Sequence, residues 1–196
     1  MSAQVAVNIL WAAWYVTWIG AVIWSGKTKT QLKTDMGGLH RYLSGIGVVL
    51  LFLPTARRDG PHSLYDMLAG RLWRSSSGID WSLFALTVAA FAFCWWARLH
   101  LGRLWSGFVT LKEDHRIVDT GPYGVVRHPI YSGVMFAALT TALLRATPAA
   151  LVGFGLIAIG FSMTARIEER FLREQLGAEA YDDYSRRVGM LIPRMA

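Results

Sequence analysis

The chain has 196 residues, 54% of them hydrophobic and only 17% charged, with nine Trp, a net charge of +7 and a pI near 9.9. A soluble domain carries roughly a quarter charged residues, so the composition excludes both a disordered chain and an ordinary soluble globule. A nucleic-acid binder gathers Lys and Arg on a polar surface; here they are scattered between long apolar runs, which points to an integral membrane protein and away from nucleic acid.

Val5 to Ser25 is an uncharged apolar run that fits a first membrane span, since about 20 apolar residues cross a bilayer. No basic start precedes it, so no secretory leader is expected. Its aromatic residues (Trp11, Trp14, Tyr15, Trp18, Trp24) read as interfacial belts and packing rather than a cofactor cage. Leu39 to Pro54 is a shorter second span. Pro61 to Trp73 places Leu64, Met67, Leu68 and Leu72 at helical spacing, which fits an amphipathic helix on the outer face or a plain loop equally well. Trp81 to Ala97 makes a third span; it contains the single cysteine, Cys94, which excludes an internal disulfide and reads as an inert buried thiol. Ile130 to Leu144 is the fourth. After a short turn, Pro148 suits the first turn of a new helix, because its missing N–H is not needed there, and Ala149 to Ala165 is the fifth. The expected fold is thus all-α, a polytopic membrane protein of about five spans ending in a helical hairpin.

Orientation follows from the Lys and Arg of the connections. With the N terminus outside, fifteen of the twenty basic residues fall in the cytosol and five outside, including Arg145 alone between spans four and five. The reverse orientation inverts the ratio. The C terminus is therefore expected in the cytosol. No internal repeat or linker divides the chain; residues 1–97 form an N-terminal set of spans and 98–196 a second, more polar segment.

Polarity concentrates in two places. One runs from Arg98 to Tyr131 and includes Gly121-Pro122-Tyr123 and Arg127-His128-Pro129-Ile130-Tyr131; the other holds Glu168-Glu169 and then Tyr181-Asp182-Asp183-Tyr184. Antiparallel spans four and five bring the start of one beside the end of the other. Fifteen residues of helix reach about 22 Å, less than the roughly 30 Å hydrocarbon core, so the polar start of span four is drawn to membrane depth, where it lines a cavity. Arg127, His128, Tyr131, Glu168 and Glu169 are expected to converge there. Helix-entry N–H groups and Arg127 suit a carboxylate, and the acidic pair suits an ammonium, ribose hydroxyls or a sulfonium. Adjacent helical positions diverge by about 100°, so only one of Glu168 and Glu169 is expected to face the site. Each of these side chains taken alone would more ordinarily snorkel to headgroups; the clustering favours a site.

Gly121-Pro122-Tyr123 followed by Arg127-His128-Pro129-Ile130-Tyr131-Ser132-Gly133 resembles the signature of the isoprenylcysteine carboxyl methyltransferase family, shared with phospholipid N-methyltransferases and a thiol methyltransferase branch. Glu168-Glu169, Leu172, Gly177, Tyr181, Tyr184 and Ile192-Pro193 are similar to its C-terminal pattern, and Leu101-Gly102 with Trp105-Ser106 to an upstream element. The resemblance implies a membrane enzyme that binds S-adenosylmethionine at its cytosolic end without a Rossmann sheet. It assigns the cofactor site to Arg127, His128, Tyr131, Glu168 and Glu169, with Tyr123, Tyr181 and Tyr184 as second-rank members closing over it. Arg127, Glu168 and Glu169 are the catalytic candidates, with a base, if one is needed, drawn from the two glutamates. A lipophilic or lipidated acceptor would enter from the bilayer; Arg170 and Arg173 are options for steering an acceptor carboxylate. The N-terminal half carries no matching motif, so the acceptor (carboxylate, thiol, amine or lipid) and the oligomeric state are not read.

Other readings are weaker. Sterol reductases use a similar Arg-His-Pro motif with NADPH but in longer chains with more spans. A non-catalytic component or transporter lacks support from any inverted repeat. Gly153-Phe154-Gly155 with Gly160 lies mid-span, where close helix packing explains it better than a dinucleotide loop. His40, His62, His100, His115 and His128 show no metal-ligand spacing; His40 and His62 read as structural or surface residues, and no metal is expected.

Overall fold

The computed structural model describes residues 1–24, 28–31, 38–56, 63–106, 110–112 and 116–194. Eight helices follow one another among these: α1 (Ala3–Gly20), α2 (Leu39–Leu51), α3 (Leu64–Ala69), α4 (Ser77–Leu101), α5 (Pro122–Val125), α6 (Pro129–Arg145), α7 (Pro148–Leu176) and α8 (Ala178–Arg187). The all-helical expectation is met, with one addition: β1 (Thr28–Gln31) pairs antiparallel with β2 (Thr110–Lys112). His62 and His115 lie outside the described residues, as do Lys27, Lys33, Arg57 and Arg58 of the orientation count.

Local chemistry sets the helix ends. Ser2, Ser76 and Thr147 each present a side-chain oxygen to an N–H of the first turn of α1, α4 and α7. Pro129 and Pro148 occupy the first turns of α6 and α7. Ala146, left-handed at φ 56, ends α6, and Thr147 starts the return. Two helices outrun their expected spans. Residues 166–176 contain no Gly or Pro and are rich in helix-forming Glu, Arg and Leu, so α7 continues unbroken for 29 residues, about 43 Å. Likewise α4 runs 25 residues, until Gly102 stops it. The segment around Leu64 is a helix of six residues, held by a capping box between Ser63 and Asp66, with Leu64 and Met67 exposed.

The runs Ala3–Trp24, Ser77–Leu104 and Pro148–Leu176 are long and apolar enough to cross a membrane; α2, at 13 residues, and α6, at 17, are shorter. Lipid tails are as apolar as leucine, so close packing and internal hydrogen bonds hold such helices together. Against α7 lies α2: a Cβ at Gly153 would strike the backbone of Gly47 and Leu51, and one at Gly160 that of His40 and Ser44. The glycines of span five are therefore packing surfaces; Gly155, with nothing near it, is not one. Helix α6 lies between α4 and α7. Thr87 and Thr140 bond across α4 and α6 at 2.8 Å, and Trp11 Nε1 donates to Thr141 Oγ1 at 2.9 Å. Trp14 stacks on Phe91 and on Trp18, and Trp18 meets Trp105 edge to face. Of the belts-and-packing reading of the first span, packing holds for three of its aromatic residues. Trp11, Trp14 and Trp18 turn inward onto α4 and α6, while Tyr15 and Trp24 stay exposed.

Candidate active site

Three short pieces of chain meet at the end of the bundle where α6 begins and α7 ends. Gly121 adopts φ +57 over the His100 ring, so a Cβ there would collide with the imidazole. His100 in turn bonds Thr120 Oγ1 at 3.0 Å and stacks on Tyr123, which gives it a structural role. The 188–191 segment then runs alongside the start of α6. Val126 and Gly189 form a parallel bridge, Arg127 N donates to Gly189 O at 2.8 Å, and His128 N donates to Met190 O at 3.1 Å. Ser132 Oγ donates to Leu191 O at 2.7 Å. The helix-entry N–H of His128 is therefore already paired, and the expectation of free donors awaiting a carboxylate at that residue is corrected.

The charged groups divide the work. Arg127 Nε and Nη2 both reach Glu169 Oε1 at 2.7 Å, and Nη1 donates to the carbonyls of Ser185 (3.0 Å) and Val188. Its guanidinium is thus largely spent inside the protein, locking α6, α7 and the end of α8 together. This differs from the open, ligand-facing fork that the sequence suggests. Burial pushes the Arg127 pKa down, but the hydrogen bond and charge of Glu169 outweigh it and hold the group above its ordinary value. His128, buried, lies 3.3 Å from Glu169 by Nε2 and 3.7 Å from Glu168 by Nδ1, and stacks nearly parallel on Tyr131. Tyr131 donates to Glu168 Oε2 at 2.8 Å.

A cavity of about 270 Å³ opens beside this cluster. Its lining combines polar groups (Arg127, His128, Tyr131, Glu168 and Arg116) with apolar ones (Trp14, Trp18, Trp105, Val134 and Phe161), and Phe161 touches Tyr131. Glu168 lines it and Glu169 does not, as the divergence of neighbouring helical positions requires. Tyr123, Tyr181 and Tyr184 complete the wall. Tyr181 and Tyr184 come from α8, and Tyr184 donates to the Tyr123 carbonyl at 2.7 Å. Burial raises the pKa of all three phenols, and nearby carboxylates push the same way, so they stay neutral hydrogen-bonding groups. Every residue the sequence nominated reaches this cluster, though Glu169 stands behind it. Arg170 and Arg173 do not line the cavity. Sequence reasoning missed its tryptophan wall and Phe161; the one available signal was the crowding of Trp on the first span. Among the described residues no group of three His, Cys, Asp or Glu could hold a metal ion.

An apolar helical bundle, with three helices long and apolar enough to cross a membrane, marks a membrane protein. Residues 83–174 match the isoprenylcysteine carboxyl methyltransferase (ICMT) family, and over this segment the chain is ICMT-like. It is 40% identical over 95 residues to "Protein-S-isoprenylcysteine O-methyltransferase" of Saccharomyces cerevisiae, covering 47% of this chain and 39% of that protein. It is 34% identical over 83 residues to "Probable protein-S-isoprenylcysteine O-methyltransferase" of Oryza sativa subsp. indica, covering 42% and 43%. A third relative, "Nickel-cobalt-cadmium resistance protein NccN" of Alcaligenes xylosoxydans xylosoxydans, is 27% identical over 161 residues, 77% of this chain and 62% of that protein. The chain thus spans less than half the length of the two methyltransferases it matches.

Proposed function

We propose that the protein is an S-adenosylmethionine-dependent methyltransferase of the membrane, acting on a lipophilic acceptor that arrives from the bilayer. The observation that carries this reading is the mixed lining of one cavity. It brings polar groups suited to a zwitterionic nucleoside together with an aromatic, lipid-compatible wall. The residues fit the donor: Glu168 faces inward as a carboxylate available to an ammonium, a ribose or a sulfonium, with Tyr131 and His128 fixing its position. S-adenosylmethionine, when bound, supplies a methyl group already activated for transfer. What remains for the chain is to orient both partners and exclude water. Tyr123, Tyr181 and Tyr184 cover the polar groups, and Arg127 with Glu169 holds that cover in place. Where the acceptor must lose a proton, Glu168 is the base, because Glu169 is committed to the Arg127 guanidinium.

The names of the relatives favour an isoprenylcysteine-like carboxylate as acceptor; a thiol or a lipid remains compatible with the apolar wall. In this reading residues 1–97 shape the acceptor side and 98–196 the donor side. The chain crosses the membrane five times, with its N terminus outside and the site cytosolic. Calorimetry on the detergent-solubilised protein tests it. Micromolar binding of S-adenosylhomocysteine, lost in Glu168→Ala, is expected; binding of NADPH in its place overturns the proposal. Incubating the protein with labelled donor and membrane extract then identifies the acceptor.

A further inference from the structure

Beside the Arg127–Glu169 pair lies a second cleft of about 550 Å³, which shares Arg127 and Tyr181 with the cavity. Arg127, Arg166, Arg170, Arg173 and Arg194 all line it, against only two carboxylates, Glu169 and Asp182. Both carboxylates are already used. Glu169 is held by Arg127, and Asp182 takes two parallel hydrogen bonds from Arg173, at 2.7 and 2.8 Å. Arg194 donates to the Arg186 carbonyl. Arg166 and Arg170 are exposed, and neither has a hydrogen bond or ion pair among the described residues. The cleft therefore carries an uncompensated positive charge centred on these two side chains, one turn apart on α7.

Their depth decides what kind of anion they meet. From Pro148, where α7 begins, Arg166 lies about 27 Å along the helix and Arg170 about 33 Å. With Pro148 at one boundary, as the span reading places it, these positions bracket the far boundary of a roughly 30 Å hydrocarbon core. Guanidiniums at that level face lipid phosphates, and their planar forks match phosphate oxygens.

We propose that this cleft is a binding site for the phosphate headgroup of an anionic phospholipid, with Arg166 and Arg170 as its primary ligands and Arg194 closing it from the C-terminal segment. Its proposed ligands Arg166, Arg170 and Arg194 do not line the cavity, and the proposal does not depend on the methyltransferase reading. A lipid seated there would rest against the Arg127–Glu169 pair that joins α6, α7 and α8.

Native mass spectrometry of the full chain, equilibrated with phosphatidylglycerol and phosphatidylcholine of equal acyl length, tests it without any methyl donor. The wild type is expected to retain phosphatidylglycerol after phosphatidylcholine has been stripped. Arg166→Gln/Arg170→Gln is expected to lower that retention about 30-fold, from the attraction of two surface arginines for an anionic leaflet; each single substitution gives part of the loss. Arg103→Gln, an exposed arginine outside the cleft, leaves it unchanged. Equal retention of the two lipids, or of phosphatidylglycerol by wild type and double variant, overturns the proposal, as does an equal loss in Arg103→Gln. If inorganic phosphate raises the melting temperature of the wild type while phosphatidylglycerol is not selectively retained, the cleft binds a free anion and the lipid assignment is wrong.

Discussion

Each end of the helical bundle holds an arginine, buried Arg145 at one and half-buried Arg127 at the other, and the contrast between them separates a site from a joint. At the α6–α7 turn, Arg145 donates to the Leu51 carbonyl at 2.6 Å and lies over the Phe52 ring. Nearby, Arg71 donates to the Leu144 carbonyl and Leu72 N to that of Ala146. Backbone carbonyls satisfy that end, and its cations cap helix C termini. At the opposite end Arg127 also takes two carbonyls, but its main partner is a carboxylate, and beside that carboxylate stands a second one facing a cavity. A cation held by carbonyls is common to both ends. What distinguishes the site is a surplus acidic group with room in front of it.

The largest effect that can break this comparison is on the two arginines. Arg127→Met takes from half-buried Glu169 its closest partner and leaves it only His128, a defect that costs about 1–3 kcal/mol. It is expected both to lower the melting temperature and to abolish S-adenosylhomocysteine binding. Arg145→Met removes a charged hydrogen bond to a carbonyl, about 1–3 kcal/mol. It should lower the melting temperature while the folded protein binds with wild-type affinity. Thermal melts and calorimetry on the same preparations check both. Lost binding in a folded Arg145→Met would merge the two ends.

The neighbouring glutamates sharpen the contrast within a single helical turn. Glu168→Gln removes the cavity's carboxylate and should weaken S-adenosylhomocysteine binding by about 10–100-fold, the range for a hydrogen bond to a charged group, with little change in melting temperature. Glu169→Gln strands Arg127, so its melting temperature should fall together with its affinity. A reversed pattern would mean that Glu169 meets the ligand and Glu168 is the brace.

Smaller still is the expected effect on the apolar wall. Trp18 packs edge to face on Trp105 and Trp95 and lines the cavity. Trp18→Ala should raise the acceptor KM about tenfold, the loss of one aromatic contact, and leave donor affinity unchanged. An equal loss of both would mean that one ligand fills the cavity.

The five apolar helices, their order and the meeting of Arg127 with the glutamates were legible in the sequence, because apolar runs and Pro-marked helix starts are local signals; the short polar helices α5 and α8 were not. What escaped it depends on distant pairing. Nothing near Arg127 says that the 185–191 carbonyls will take up its guanidinium and the N–H groups of residues 127 and 128. Nor does the spacing of Trp11, Trp14 and Trp18 distinguish a membrane belt from an inward wall; that is decided by Phe91 and Trp105, some 80 to 90 residues further along the chain. The length of α7 was readable in hindsight, since its polar continuation keeps good helix formers after hydropathy stops marking a span.

The mildest prediction concerns the three phenols over the cavity. Burial holds Tyr123, Tyr181 and Tyr184 above the ordinary tyrosine pKa of about 10. Because the raised groups favour their neutral form in the folded state, their contribution to stability is complete below pH ~10. It is lost as pH rises through the folded-state values. Replacing each in turn by Phe should therefore leave the tyrosinate absorbance of the folded protein at pH ~11 unchanged. It should lower the melting temperature only slightly, the more so for Tyr184, whose bond to the Tyr123 carbonyl is worth about 1 kcal/mol. A drop in that absorbance on removing any of them would mean that the polar end stands open to water. The contrast with the carbonyl-sealed end at Arg145 would then be one of solvent access rather than of surplus acidity.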